Sequence, residues 1–248
     1  MNRSGLCALL FLLFFLSPSV LFTQTKKISY NGNSSIMGGD IRFPFQAQVE
    51  QSEKDSYFMY RSDVIDTDVT FKGTRVLRAT TIIYDERLAN QYGFDERHTF
   101  SDPRGVILTF YRQGKLKRSI LVADGNDIFD IDILHLIIWE KIRRKSATFK
   151  TRLRLSSSGA VFPAIIRIEK TKDISKVIRL SGDNKDAVGR MKQLNEVYLV
   201  SVEPDTIVRY LIPFKYYMLY EVSGDNSFIG FAGGSQKFRE IHICSPQR

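Results

Sequence analysis

Residues 196–234 limit the possible folds more than any other stretch of the sequence. Four short runs rich in β-branched and aromatic residues follow one another here, and Pro, Gly, Asp or Asn ends each run. This rhythm is typical of β-strands joined by short connections. The stretch therefore predicts an antiparallel meander. It contains no catalytic motif, so it indicates an architecture rather than an activity.

Strand patterns also cover most of the remaining sequence. A hairpin is predicted where two alternating runs, 106–111 and 116–122, are joined by Arg112-Gln113-Gly114-Lys115. Within 68–84, a bend or bulge is expected near Gly73. Residues 185–194 are interpreted as a linker or short helix. Further strands are predicted at 41–51, 57–64, 149–155, 161–170 and 174–180.

One segment has helical rather than strand periodicity. Apolar residues recur at helical spacing over 130–143, which predicts a helix with Asp130 or Asp132 as its cap. Trp139, the single tryptophan, lies on this helix. The expected fold class is mainly β: a single, highly curved antiparallel sheet, or open half barrel, with one main helix that covers or plugs its concave face.

The first residues have the layout of a secretory signal peptide. Arg3 precedes an apolar run over 6–16, and Ser17-Pro18-Ser19 ends that run. We therefore assign 1–23 to a signal peptide, 24–40 to a flexible, polar N-terminal arm, and 41–248 to a single β-rich domain. An uncleaved N-terminal anchor is the alternative. No later apolar segment approaches membrane-spanning length, so no transmembrane span is expected after signal removal.

Cysteine content and charge bear on the compartment and on partners. Cys7 would leave with the signal peptide, and Cys244 would remain as an inert thiol near the chain end or pair with a partner. A secreted chain without an internal disulfide favours a bacterial periplasm, with an extracellular location as the alternative. The formal charge is +9. Its basic residues are spread along predicted strands, so no nucleic-acid partner is expected, and attraction to anionic lipid headgroups is a minor alternative.

No residue pattern in the sequence indicates catalysis. His98, His135 and His242 lack the spacing of metal ligands, and no phosphate-binding loop, dinucleotide fingerprint or nucleophile elbow occurs. Two acidic pairs, Asp85-Glu86 and Asp95-Glu96, are interpreted as salt pairs at turns and strand edges. A hydrolase that uses these acids is the alternative. We therefore expect a protein without catalytic residues, metal or cofactor.

Aromatic residues are more suggestive, because 18 Phe and 11 Tyr concentrate on the predicted strands. Filling of the core is one interpretation of these rings. The other is that some of them line a hydrophobic groove beneath helix 130–143. The residues assigned to this tentative ligand-binding groove are Phe110, Trp139, Phe214, Tyr216, Tyr217 and Phe228.

The order of these features resembles a family of bacterial exported proteins of unknown function. The resemblance is carried by the Arg-Gln-Gly-Lys hairpin, the helix opening Asp132-Ile133-Leu134, the segment Ile212-Pro213-Phe214-Lys215-Tyr216-Tyr217, and Phe228-Ile229-Gly230-Phe231. Members of that family are similar in shape to the lipoprotein carriers LolA and LppX, in which a curved sheet surrounds a helix. The resemblance implies an open β-barrel, a periplasmic or cell-envelope location, and binding of a lipid, lipoprotein or other apolar molecule.

Two functional hypotheses follow from the sequence. The first is a non-enzymatic periplasmic protein that holds an apolar or lipid-like ligand in the groove of its sheet. The second is a structural or assembly protein of the cell envelope that acts through contacts with another envelope protein.

Overall fold

The computed structural model describes residues 26–36, 41–52, 54–143, 147–173, 196–205, 214–222, 228–235 and 238–246. The predicted signal peptide, the strand at 174–180 and the linker at 185–194 lie outside these ranges. Within them the chain forms fifteen strands and two α-helices. The strands are β1 (Lys26–Ile36), β2 (Ile41–Gln51), β3 (Ser56–Arg61), β4 (Ile65–Lys72), β5 (Arg75–Ile83), β6 (Glu96–Asp102), β7 (Gly105–Arg112), β8 (Lys115–Val122), β9 (Ile128–Asp130), β10 (Thr148–Arg154), β11 (Val161–Thr171), β12 (Val197–Pro204), β13 (Phe214–Glu221), β14 (Phe228–Ser235) and β15 (Phe238–Pro246). The helices are α1 (Glu86–Tyr92) and α2 (Leu134–Arg143), with a 3₁₀ turn, Ile131–Ile133, before α2.

All fifteen strands belong to one sheet. Their order is β8-β7-β6-β5-β4-β3-β2-β1-β15-β14-β13-β12-β11-β10-β9, so β8 and β9 form its two edges. Neighbouring strands are antiparallel, except that the short β9 runs parallel to β10. The predicted antiparallel sheet and its meander are therefore confirmed over the described strands.

The two ends of the described chain meet in the middle of this sheet. β1 pairs with β2 along its whole length and with β15 on its other side. The prediction of a flexible arm is therefore wrong for residues 26–36, where a continuous ladder satisfies the backbone hydrogen-bonding groups. Cys244, the cysteine near the chain end, lies in β15 opposite Gly32.

Two local features differ from the sequence interpretation. Residues 68–84 form two strands, since β4 and β5 are joined by a tight turn at Gly73 with φ +58°. α1 was not predicted, although Asp85 accepts a hydrogen bond from the backbone N–H of Leu88 and Gly93 ends the helix in a left-handed conformation. These are ordinary start and stop signals for a helix. Its seven residues are too few for periodicity to reveal it.

The predicted hairpin β7–β8 is confirmed. Its two turn residues, Gln113 and Gly114, have φ values of +52° and +71°. Positive φ at both central residues is the turn geometry that matches the twist of two antiparallel strands.

Strong curvature of the sheet follows from its core. One cluster of buried side chains joins β2–β5 to β10–β14, which lie on opposite sides of β1 in the strand order, and α2 packs between them. From Ile133 to Trp139 every side chain except His135 is buried in this cluster, and so is Ile142. A helix that is apolar nearly all round is typically buried. The predicted half barrel with a helix on its concave face is confirmed.

A second, smaller cluster lies on the same sheet. It brings α1 together with the inner faces of β5 and β7 and with the paired ends of β1 and β2 at Ile36 and Ile41. Tyr60 packs against both clusters and forms the boundary between them. Assignment of the chain to a single domain stays a prediction.

Candidate functional site

The structure separates the six residues assigned to the groove. Trp139 and Phe228 are buried in the main cluster, and Tyr216 packs against it from β13. Tyr217 points to the opposite, outer face, where the ammonium group of Lys215 lies 5.4 Å from its ring. The structure therefore does not bring Tyr217 together with Trp139, because successive side chains of a strand point to opposite faces.

The other two groove residues have different outcomes. Phe110 is buried in the second cluster, where its ring packs against Phe94, just before β6. The guanidinium of Arg118 lies over the Phe110 ring, 4.2 Å from its centre. Phe110 therefore does not share a site with Trp139. Phe214 begins β13, and its side chain lies outside the part of the chain that the structure describes.

Aromatic rings hold the first turn of α2 inside the sheet. The His135 ring lies 5.0 Å from the ring of Phe58 on β3 and 5.1 Å from that of Phe228 on β14. These two strands lie on opposite sides of β1 in the strand order. Tyr220 donates a hydrogen bond from its hydroxyl to the carbonyl oxygen of His135 at 2.6 Å. These contacts fix the helix against both sides of the sheet, and they place His135 beside the main cluster.

Apolar surface is partly exposed where α2 ends. Ile28, Phe149, Ile168 and Tyr198 pack against the main cluster without being fully buried. All four lie at the same end of their strands in the paired sheet. Two cations reach over the rings at this end. Lys26 lies 4.8 Å from the ring of Trp139, and Lys141 lies 5.2 Å from that of Phe149. We call this region the rim.

A buried ionic cluster lies at the opposite end of α2. Arg154 of β10 donates from Nε to Asp130 Oδ2 at 3.1 Å, and Ser156 donates to Asp130 Oδ1 at 3.0 Å. Arg97 of β6 donates to Asp132 at 2.5 Å and to Thr81 Oγ1 at 2.7 Å. The 3₁₀ turn before α2 is thus bound to strands that are far apart in the sequence.

Asp124 extends this cluster towards the surface. Its carboxylate pairs with Arg75 Nε at 2.6 Å and approaches Arg154 Nη1 at 3.7 Å. The facing atoms Asp124 Oδ1 and Arg154 Nη1 are buried and lack a hydrogen-bond partner, as does Arg97 Nε. A separation of 3.7 Å leaves a charged contact without a direct hydrogen bond. Because every carboxylate here faces an arginine, the cluster is suited to holding α2 in place rather than to acid–base chemistry.

Burial gives Asp130 an unusual titration. Removal from water, and next the charge of Asp132, raise the pKa of Asp130 above 3.8, although Arg154 and Arg97 oppose the shift. The folded state therefore binds a proton that the unfolded state has lost. The resulting stabilisation of the folded state is fully present below pH 3.8 and is lost as the pH rises through the folded-state pKa of Asp130.

The variant Asp130→Asn tests this titration. Its amide cannot ionise, so the unfolding free energy of the wild type relative to the variant should fall as the pH rises above 3.8. Asp127→Asn is the control, since the hydrogen bond from exposed Arg152 lowers the pKa of Asp127. The unfolding free energy of the wild type relative to Asp127→Asn should then grow as the pH rises through that lowered pKa. Urea denaturation over a pH series measures both, and slopes of equal sign would contradict the assignment.

The acids considered for catalysis do not converge. Asp85 pairs with Arg87 at 2.8 Å, Asp95 lies 3.7 Å from Arg112, and Glu96 contacts His98 at 2.6 Å. These are the predicted salt pairs at turns and strand edges. Among the described residues, no group of three or more His, Cys, Asp and Glu side chains could hold a metal ion. No helix in the described ranges is long and apolar enough to cross a membrane.

Four exposed apolar side chains share the outer face of β5–β8. They are Ile82, Phe100, Leu116 and Leu121, and Thr81, Ile83 and Thr99 beside the first two are buried. The sequence analysis did not single out this face. Alternation along 106–122 was the available signal, because Leu116 and Leu121 occupy positions on β8 that pair with outward-facing residues of β7.

Comparisons with known proteins give no family. No protein-family model matches the sequence, and no curated protein matches it significantly. A β-barrel-like protein with the domain of unknown function DUF1849, from Brucella abortus, is similar with a TM-score of 0.47 and 8% identity, over 88% of this chain and 95% of that chain. A DUF1329 family protein from Desulfovibrio piger has a TM-score of 0.35 and 10% identity, over 90% and 85% of the two chains. At TM-scores below 0.5, neither likeness identifies an activity, ligand or partner.

Proposed function

We propose that this chain is an exported, non-enzymatic protein of the cell envelope, periplasmic in location, that binds a lipid or other apolar molecule between the concave face of its sheet and α2. The rim is the observation that carries this proposal. There the apolar interior reaches solvent beside the last turns of the helix, so an acyl chain could enter without crossing the sheet. The signal-like first residues support export.

The charges around α2 also support entry of the ligand at the rim. The ionic cluster holds the N-terminal end of the helix, whereas the rim end is bordered by apolar contacts and by the cations Lys26 and Lys141. A ligand with an apolar chain and an anionic head could place its chain beside Trp139 and its head near these two amines. Phe149 would lie against the chain, whereas Phe110 and Tyr217 would take no part.

Trp139 provides a direct test, because it is the only tryptophan. A fatty acid brominated in its chain quenches tryptophan fluorescence only on contact. We expect saturable quenching by the brominated acid and none by the unbrominated one. Phe149→Ser at the rim should weaken binding about tenfold, since it removes most of one buried phenyl contact. Phe100→Ser, on the outer face, is the matched control and should bind normally.

Two results would contradict ligand binding. One is the absence of quenching at every concentration of the brominated acid, together with a bare protein mass in native mass spectrometry. The other is equal weakening by Phe149→Ser and Phe100→Ser, because binding would then not depend on the rim.

A second candidate function is assembly through contacts with another envelope protein. The edge strand β8 favours it: among the described strands, β8 pairs with β7 alone, so its other edge can accept a strand from a partner. Photo-crosslinking from Ser119 of β8 in living cells would detect such a partner. A crosslink from Ser119 that is absent when the probe is placed at Arg42, on an inner strand, would support this candidate.

A further inference from the structure

The outer face of β5–β8 is an apolar surface with a defined arrangement. Phe100, Ile107 and Leu121 lie side by side across β6, β7 and β8. Tyr111 and Leu116 form a second row, four residues further along β7, and Ile82 lies beyond Glu96 in the same row. We call these six residues the outer patch.

Exposure is greatest at the β8 edge of the outer patch. Leu116 is 60% exposed and Leu121 is 49% exposed, although both could have been polar at no cost to the core. Between the two rows, the His98 ring stacks on Phe100 and meets Tyr111 edge-on. The patch is therefore a continuous apolar and aromatic surface rather than a scatter of single side chains, which is the pattern of a docking surface.

Basic residues predominate at the β8 edge of the outer patch. Residues 105–123 contain Arg112, Lys115, Lys117 and Arg118 and no Asp or Glu, whereas Glu96 in the second row contacts His98. Arg112 reaches Asp95 and Arg118 stacks on Phe110, so the cations directed to solvent are Lys115 and Lys117. They flank exposed Leu116 in the sequence, at the end of the hairpin β7–β8. Edge lysines alone would serve to prevent strand pairing, but an exposed leucine between them would not.

We infer that the outer patch docks this protein on the surface of an anionic phospholipid bilayer. Leu116, Leu121 and Phe100 would enter the boundary between headgroups and acyl chains, while Lys115 and Lys117 would contact lipid phosphates. Charge complementarity favours this occupant. A second copy of the chain would place the basic hairpins of two molecules against each other, and like charges across strands repel. The inference does not depend on a ligand at the rim.

Co-sedimentation with lipid vesicles tests the inference on the purified protein. Binding is expected to vesicles that contain phosphatidylglycerol and not to those of phosphatidylcholine alone, and it should weaken as salt rises. Lys115→Glu/Lys117→Glu should weaken binding at least about 30-fold, because each lysine near an anionic surface raises the binding affinity about five- to tenfold. Leu116→Ser/Leu121→Ser should weaken it about tenfold or more while leaving the charge unchanged.

The control has the same net charge as the lysine variant. Lys54→Glu/Lys72→Glu changes two exposed lysines at the opposite ends of the strands, and it should retain vesicle binding within a few-fold. Thermal unfolding confirms that each variant is folded. Equal loss in this control, or full binding by the leucine variant, would overturn the inference. So would stronger binding to duplex DNA than to the vesicles with dependence on the lysines only, which would indicate a nucleic-acid surface.

The vesicle and fluorescence experiments can fail independently. Docking through the outer patch leaves Trp139 away from the lipid, so vesicles with brominated acyl chains need not quench it if the rim holds no ligand. Quenching without sedimentation would instead support the rim and exclude the outer patch as a membrane contact.

Discussion

Replacing Arg154 by methionine is expected to destabilise the folded protein by about 3–5 kcal/mol at a pH above the folded-state pKa of Asp130, because the change leaves a buried carboxylate without its cation. The side chains of Arg154 and Asp130 are only 1% and 4% exposed, so water cannot replace the lost partner. The hydrogen bond from Ser156 to Asp130 would remain, but a neutral hydroxyl does not balance a charge. Urea denaturation followed by circular dichroism measures the change in unfolding free energy.

The control for Arg154 lies two residues earlier on the same strand. Arg152 pairs with Asp127 at 2.7 Å, but these side chains are 45% and 60% exposed. Arg152→Met should therefore cost far less than Arg154→Met, as is usual for exposed ion pairs. Similar costs for the two variants would show that burial does not strengthen the cluster.

A double variant separates loss of the pair from loss of one partner. Arg154→Met/Asp130→Leu removes both charges of the pair, so neither stays buried without the other, and only Ser156 and the backbone N–H of Asp132 lose their acceptor. We expect it to be more stable than Arg154→Met alone, which gives a coupling energy between the two positions. If the double variant were the less stable of the two, Asp130 would be held by groups other than Arg154.

Local patterns in the sequence were sufficient to predict most strands and the main helix. β2 shows why, since its burial alternates residue by residue and the apolar side chains of IRFPFQAQVEQ follow the same period. The hairpin β7–β8 was predictable from Gln113-Gly114, which supplies the required turn. α2 was predictable from the spacing of its isoleucines. Each of these signals lies within about ten residues of sequence.

The centre of the sheet was not predictable from such signals. β1 contains Asn31-Gly32-Asn33, a combination that is rare in strands, and it is held in place by β2 and β15. More than 200 residues separate it from β15 in the sequence. Pairing across that distance decides its conformation, and local propensity has little influence on it.

The same distinction applies to the candidate site. Aromatic content correctly placed Trp139 and Phe228 on a shared apolar interior, because both lie on elements whose periodicity was clear. Phe110 was assigned to the wrong cluster, since the pattern of β7 gives the face of the strand but not its distance from α2. The ionic cluster was missed for a related reason. Arg97, Asp130 and Arg154 are each unremarkable locally, and only the folded sheet brings them together.

Replacing Gly159 by alanine is expected to destabilise the protein by about 2–4 kcal/mol, from backbone strain and overpacking together. Gly159 has φ +76° in the turn between β10 and β11. A Cβ there would lie 2.6 Å from Ile120 Cδ1, 2.8 Å from Leu108 Cδ1 and 2.9 Å from Val122 Cγ2. The turn thus packs against the inner face of β7 and β8, at the other end of the strand order.

The matched control for Gly159 isolates this contact between distant parts of the sheet. Gly114 has a similar φ of +71°, but no atom lies within 4 Å of the position of an added Cβ. Gly114→Ala should therefore cost only the backbone strain, about 1–2 kcal/mol. Ile120→Ala should then cost less in the Gly159→Ala background than in the wild type, because it makes room for the new methyl group. Equal destabilisation by both glycine variants, without coupling to Ile120, would mean that this turn does not close the half barrel against β8.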